Sequence, residues 1–227
     1  MIKTHPILSH VLLLSFASVF SFATPIQTFE TGAIAPGSTS LALLGCPVPG
    51  LSGEGTYSIG GSSTLCHPLW AWVGPQAGSN YMIVNGSTGN GNLVYQQTVS
   101  VTANLNSVFS AYFAGLFSSG PAVLQLRVYN GTSSLGTPAS QIQFTSAINP
   151  PAVPSPTWTL QSLSFVPTGN QVTVQIYNTS TSTGGNDFGV DSLDVTQFGA
   201  ALVATPEPAT FLLAGAALLA LAARKKL

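Results

Sequence analysis

Between Thr24 and Thr205 the apolar positions recur with a period of two rather than 3.6. Leu124-Gln125-Leu126-Arg127-Val128-Tyr129 alternates cleanly, and so does Val172-Thr173-Val174-Gln175-Ile176-Tyr177. Successive side chains of a strand point to opposite faces, so such runs bury one face and wet the other. The pattern predicts further strands at Ile26–Phe29, Thr56–Ile59, Tyr81–Val84, Leu93–Ala103, Ser107–Gly115, Ser140–Phe144, Thr157–Phe165 and Phe188–Val195. Turn signals separate them: Asn85-Gly86, Asn130-Gly131 and Thr168-Gly169-Asn170. Gly and Pro interrupt the segment too often for a long helix. Many short strands at regular spacing predict an all-β fold, an antiparallel β-sandwich over residues 24–204. Pro150, Pro151, Pro154 and Pro156 make residues 146–157 a long loop inside that domain.

The two ends depart from this pattern. Lys3 precedes an apolar run, Val11 to Phe22, that is too short to span a bilayer comfortably, and Ser21-Phe22-Ala23 offers small residues where a signal peptidase reads. Residues 1–23 therefore read as a signal peptide, cleaved after Ala23. At the other end, residues 205–227 hold three parts in order. Pro206-Glu207-Pro208 forms a rigid polar break. Ala209 to Ala223 carries no polar side chain except Thr210, and Arg224-Lys225-Lys226 follows. As a helix the apolar stretch covers roughly 22 Å, short of the ~30 Å hydrocarbon core. Snorkelling basic side chains extend that reach. The positive-inside rule puts the basic cluster in the cytoplasm and the domain outside. A permanent single-pass anchor is the alternative reading.

Charge narrows the function classes. Only 5% of residues are charged, against about 25% in an average soluble domain. Between residues 24 and 205 one basic residue, Arg127, stands against five acids, a net charge of −4. Nucleic-acid binding needs a basic footprint, and this domain has none. Export places Cys46 and Cys66 in an oxidising compartment, which predicts a disulfide closing a loop of about 20 residues.

The tail resembles the PEP-CTERM sorting signal of Gram-negative bacteria, carried by Pro206, Glu207 and Pro208, the apolar span, and the basic stop at Arg224, Lys225 and Lys226. The resemblance implies processing by an exosortase. The chain would sit in the inner membrane first and then at the cell surface or in the extracellular matrix. The domain resembles jelly-roll modules of the galactose-binding-like and carbohydrate-binding-module-like kind. The matching segments are Thr28-Phe29-Glu30-Thr31-Gly32, Tyr81 to Ser87, Val94 to Val101, Phe109 to Tyr112, and Gly185 to Val195. In such modules a structural Ca²⁺ ties the first strand to the last, which here implies Glu30 and Asp191 as ligands. The alternative leaves these acids at solvent-facing strand ends.

Candidate chemistry is sparse. Sugar binding needs flat apolar faces beside polar groups. Trp70 and Trp72 are two apart, so on a strand they share one face and form a candidate platform for extracellular polysaccharide; the alternative makes them core. Glycoside hydrolysis needs a carboxylate pair across a cleft, and nothing in the sequence places one. His67 is the only candidate base for a nucleophile once the signal is removed. The expectation is a non-catalytic surface or matrix protein, with a carbohydrate-binding module as the alternative.

Overall fold

The computed structural model describes residues 19–46, 51, 53–88, 92–117, 120–146, 157–182 and 185–200. The residues Ser21–Phe198 form one compact unit. Its strands are β1 (Val19–Gln27), β2 (Ala42–Leu43), β3 (Thr56–Gly60), β4 (Tyr81–Asn85), β5 (Asn92–Ser100), β6 (Asn106–Gly115), β7 (Val123–Asn130), β8 (Ser140–Thr145), β9 (Thr159–Phe165), β10 (Gln171–Asn178) and β11 (Phe188–Ala200). Among the described residues the only helical element is a single 3₁₀ turn, Ser63–Leu65.

Two sheets face each other. One has seven strands in the order β2-β3-β4-β11-β6-β9, with β1 also paired to β11; the other has four, β5-β10-β7-β8. Beyond β4 the chain changes sheet at almost every connection, with β7–β8 the one antiparallel neighbour pair in sequence that stays in the same sheet. That alternation is the jelly-roll signature. The pairings β3–β4, β4–β11, β11–β6, β6–β9, β5–β10, β10–β7 and β7–β8 are antiparallel, while β2–β3 is a two-residue parallel contact that the alternation did not predict.

The core lies between the sheets. Met82, Val84, Phe109, Phe113, Val190 and Val195 from the seven-stranded sheet meet Val94, Val99, Leu124, Leu126, Val128, Val172, Val174 and Ile176 from the other. Every second residue of β7 and β10 is in this set, as the period-two pattern requires. A second cluster covers the opposite side of β4 and joins Tyr81, Ile83, Leu51, Cys66, Trp70, Val73, Ala114 and Leu116. Strand β4 is thus buried on both faces, which explains why Tyr81-Met82-Ile83-Val84 reads as a continuous apolar run.

The turn signals do separate strands, and two of them mark crossings between the sheets. Asn85-Gly86 starts the crossing from β4 to β5 in the other sheet. Glycine is required there because a Cβ on Gly86 would lie 2.2 Å from the backbone oxygen of Asn186. Thr168-Gly169-Asn170 likewise carries the chain between sheets, from β9 to β10. The expected signal peptide and sorting tail fall largely outside the described residues. Strand β1 runs through the expected cleavage point at Ala23. Among the described residues no helix is long and apolar enough to cross a membrane.

Candidate functional site

Glu30 and Asp191 converge on one loop. Glu30 lies in the turn after β1, and both its carboxylate oxygens accept from the Ser79 N–H at 3.0 Å, with Oε1 also accepting from Asn80. Asp191, fully buried on β11, accepts through Oδ2 from the N–H groups of Gln76 and Ala77. Burial pushes the Asp191 carboxyl above the usual carboxylate range, against the pull of those amides and of Ser192. The β11–β6 register slips between Asp191 and Asp194. Such bulges re-aim side chains beside functional sites. Three residues here have positive φ: Phe29 (61°), Gly78 (69°) and Ser192 (51°). Left-handed backbone at a non-glycine residue costs about 1 kcal/mol or more and persists only where surroundings enforce it. A cavity of about 180 Å³ opens among Thr28, Glu30, Ala77, Gly78 and Ser192. Among the described residues no three His, Cys, Asp or Glu side chains cluster as a metal site.

The tryptophan pair does not form a shared platform. The segment 71–75 is not a strand, and the two rings part company. Trp70 is 4% exposed and belongs to the second core cluster, its indole N–H donating to Asp187 Oδ2 at 3.0 Å. Trp72 is 42% exposed. Loop geometry, not strand alternation, sets their directions. A buried indole needs an acceptor, and Asp187 supplies it. Cys46 and Cys66 are joined in a disulfide beneath the same loops. His67 stacks near Trp70 with ring centroids 5.1 Å apart, and its Nδ1 accepts from the Leu69 N–H.

The richest polar surface is one the sequence reading did not single out. Because Leu124, Leu126, Val128, Val172, Val174 and Ile176 point inward, their alternates lie on the outer side of the four-stranded sheet, where Thr173, Gln175 and Tyr129 are themselves buried and Gln125, Arg127 and Tyr177 are half-buried. The register aligns them in rows. Gln96, Gln175, Arg127 and Gln141 stand side by side across all four strands, and Tyr177, Gln125 and Gln143 form the neighbouring row. Four strands at about 4.8 Å spacing make this face roughly 14 Å wide. The amides are linked. Gln125 Nε2 donates to Gln143 at 2.9 Å, and Gln175 Nε2 donates to Gln96 at 3.2 Å. The Arg127 Nε–H donates to Gln125 Oε1 at 2.8 Å, and its guanidinium lies 3.9 Å over the Tyr177 ring. Beyond these rows, Thr98 and Thr173 hydroxyls meet at 2.9 Å. A polar recess of about 250 Å³ opens there among Gly37, Gln96, Thr98, Thr132, Ser134 and Thr173. The signal was present: Gln125, Arg127, Tyr129, Thr173, Gln175 and Tyr177 are the polar half of the two cleanest alternating runs.

A third depression, about 410 Å³, lies on the outer side of the seven-stranded sheet. Pro25, Tyr112, Leu160 and Asp194 line it, and it is mainly apolar. Asp194 Oδ2 accepts from Thr196, while Oδ1 is buried and unpartnered.

Residues 204–226, which include Pro206, Glu207, Pro208 and the basic stop, match the PEP-CTERM protein-sorting motif. That motif makes the chain an exported substrate of exosortase-type sorting, membrane-anchored before processing. No curated protein matches the chain. Among solved structures, the apo form of a cyclase from Fischerella sp. aligns over 78% of this chain and 96% of its own, at 11% identity and a TM-score of 0.51. TmCBM61, solved with β-1,4-galactotriose, aligns over 74% and 92% at 12% identity and a TM-score of 0.45. The CBM22-1 xylan-binding domain of Paenibacillus barcinonensis Xyn10C aligns over 56% and 78% at 16% identity and a TM-score of 0.40. At these identities the cyclase likeness shows the sandwich fold alone.

Proposed function

We propose that the sandwich is a non-catalytic glycan-binding domain, delivered by the sorting tail to the cell surface or matrix and held there on extracellular polysaccharide. The observation that carries this reading is the row Gln96–Gln175–Arg127–Gln141, in which Gln96, Arg127 and Gln141 reach the surface around a buried Gln175, with Tyr177 beside it. Sugar hydroxyls need donors and acceptors at fixed spacing on a preformed surface, and an amide offers both. Side chains already tied to one another lose little freedom on binding. No carboxylate stands in these rows, so the acid–base pair of a glycosidase is missing from the face that would hold the sugar.

The full chain in detergent, run in affinity gels against a panel of soluble polysaccharides, tests this. Retardation by at least one polymer is expected. It should fall about tenfold or more for a Tyr177→Ala/Gln143→Ala variant that keeps the wild-type circular dichroism. Loss through Tyr112→Ala instead would move the site to the opposite sheet. Failure of every polymer to retard the chain would remove the glycan reading.

Two further assignments belong to this proposal. Glu30 and Asp191 would hold a Ca²⁺ that ties the turn after β1, the 76–80 loop and β11 together. What supports it is the convergence of two carboxylates on one loop and the left-handed residues on each contributing segment, with a small cavity beside Glu30 and Ser192. Carbonyls and water would complete the hard-oxygen set that Ca²⁺ takes. Signal peptidase would cut after Ala23, leaving Thr24–Gln27 as the mature part of β1.

A further inference from the structure

We infer that the polysaccharide taken by the four-stranded face is acidic, a polymer carrying sugar carboxylates; this rests on the reading that the face binds glycan. Arg127 is the sole Lys or Arg between residues 24 and 205. It sits in the middle of the amide row, half-buried, between Gln175 and Gln141. Its partners among the described residues are a glutamine and a tyrosine ring, not a carboxylate. A partly desolvated guanidinium with only neutral neighbours lacks the counter-charge that such a group normally finds in a protein. Gln125 and Tyr177 fix its plane, so the fork is presented in one orientation. That is the geometry which recognises a carboxylate through two parallel hydrogen bonds.

The acids of the domain are placed so as not to oppose this. Glu30 follows β1, Glu54 precedes β3, Asp187 precedes β11, and Asp191 and Asp194 lie on β11. All three strands belong to the seven-stranded sheet. None of the five acids lies on the four strands that carry the amide rows. A polyanion seated on those rows therefore meets Arg127 at hydrogen-bond range with no carboxylate beside it. The net charge of −4 does not describe the surface the ligand sees. Hydrogen bonds to charged groups are roughly twice as strong as neutral ones, which sets the expected preference at about tenfold.

The test compares each polymer with its own uncharged form. Polygalacturonate, alginate and hyaluronate are paired with their methyl esters, and binding of the full chain in detergent is measured at 50 mM and 500 mM NaCl without added divalent cations. At least one acid form should bind about tenfold tighter than its ester at low salt, and the gap should narrow at high salt. Arg127→Gln should bring acid and ester to equal affinity, while Arg127→Lys should keep part of the preference through charge alone. Esters binding as well as acids, neutral polymers binding where no acid form does, or a preference that survives Arg127→Gln would overturn the acidic assignment and leave the glycan reading standing. Absence of binding to every charged and neutral polymer would instead remove the glycan reading itself.

Discussion

The indole N–H of Trp70 donates to Asp187 Oδ2 at 3.0 Å across 117 residues of chain, tying the disulfide-bearing loop to the residue that immediately precedes β11. Two requirements meet in that bond. A buried indole must donate, and a buried carboxylate must be compensated. Burial pushes the Asp187 carboxyl up to about 6, although the Trp70 and Gly86 N–H groups pull it down.

That shift fixes a pH dependence. The folded-state value lies above the unfolded one of 3.8, so between the two the folded protein holds a proton that the unfolded chain has released. Stability from this group is fully present below about pH 4, declines as pH rises to about 6, and is flat above. At ~1.4 kcal/mol per pKa unit the span is about 3 kcal/mol. Asp191, also raised by burial, tilts the curve the same way in calcium-free protein. Melting temperature should therefore fall between pH 4 and 6.5. Asp187→Asn, whose amide oxygen still accepts from Trp70, should show a shallower slope and a higher melting temperature at pH 7. A wild-type curve that climbs through this window would contradict the assignment.

The two tryptophans should behave differently. Trp70→Ala removes a large ring from the second core cluster and takes one of two donors from the Asp187 carboxylate, at a cost of about 3–5 kcal/mol. Trp72→Ala trims an exposed ring and should stay within about 0.5 kcal/mol of wild type. Urea unfolding of both variants decides it, and similar midpoints would refute the burial difference.

Removing the disulfide through Cys46→Ala/Cys66→Ala frees a loop closed over 20 residues of sequence separation. The chain-entropy estimate is about 3 kcal/mol, or a melting temperature roughly 10 °C lower for a domain of this size. A drop of under 3 °C in calorimetry would mean the second cluster holds those loops without the crosslink.

Calcium should stabilise the chain and EDTA should not. At a concentration one hundred times the Kd, binding adds about 2.7 kcal/mol, read as a higher melting temperature in 1 mM CaCl₂. Glu30→Gln should erase the response. If wild type melts at the same temperature in CaCl₂ and in EDTA, the assignment to Glu30 and Asp191 fails.

The sandwich was legible because burial on one face of a strand leaves a period-two trace. Leu124 to Val128 and Val172 to Ile176 carry it fully, and their edges are placed within a residue or two. Strand β2 left no trace, since two residues hold no period. The site was less legible. Trp70 and Trp72 were two apart in sequence, but the inference to a shared face assumed a strand where the chain forms a loop, which the disulfide and Tyr81 organise. The amide face needed pairing register as well as alternation: nothing local in Gln96, Gln175, Arg127 and Gln141 says that they stand in one row.

Strand β11 is the last of the strands among the described residues and sits inside the seven-stranded sheet, between β4 and β6. Those two neighbours have no partner in each other, so the sheet stays in two pieces until the chain has been delivered as far as residue 200. Long-range pairing of this kind is slow to form. The larger sheet is therefore a closure made from the chain's late segment, and any variant that weakens β11 should separate the β2-β3-β4 piece from the β6-β9 piece rather than fray an edge.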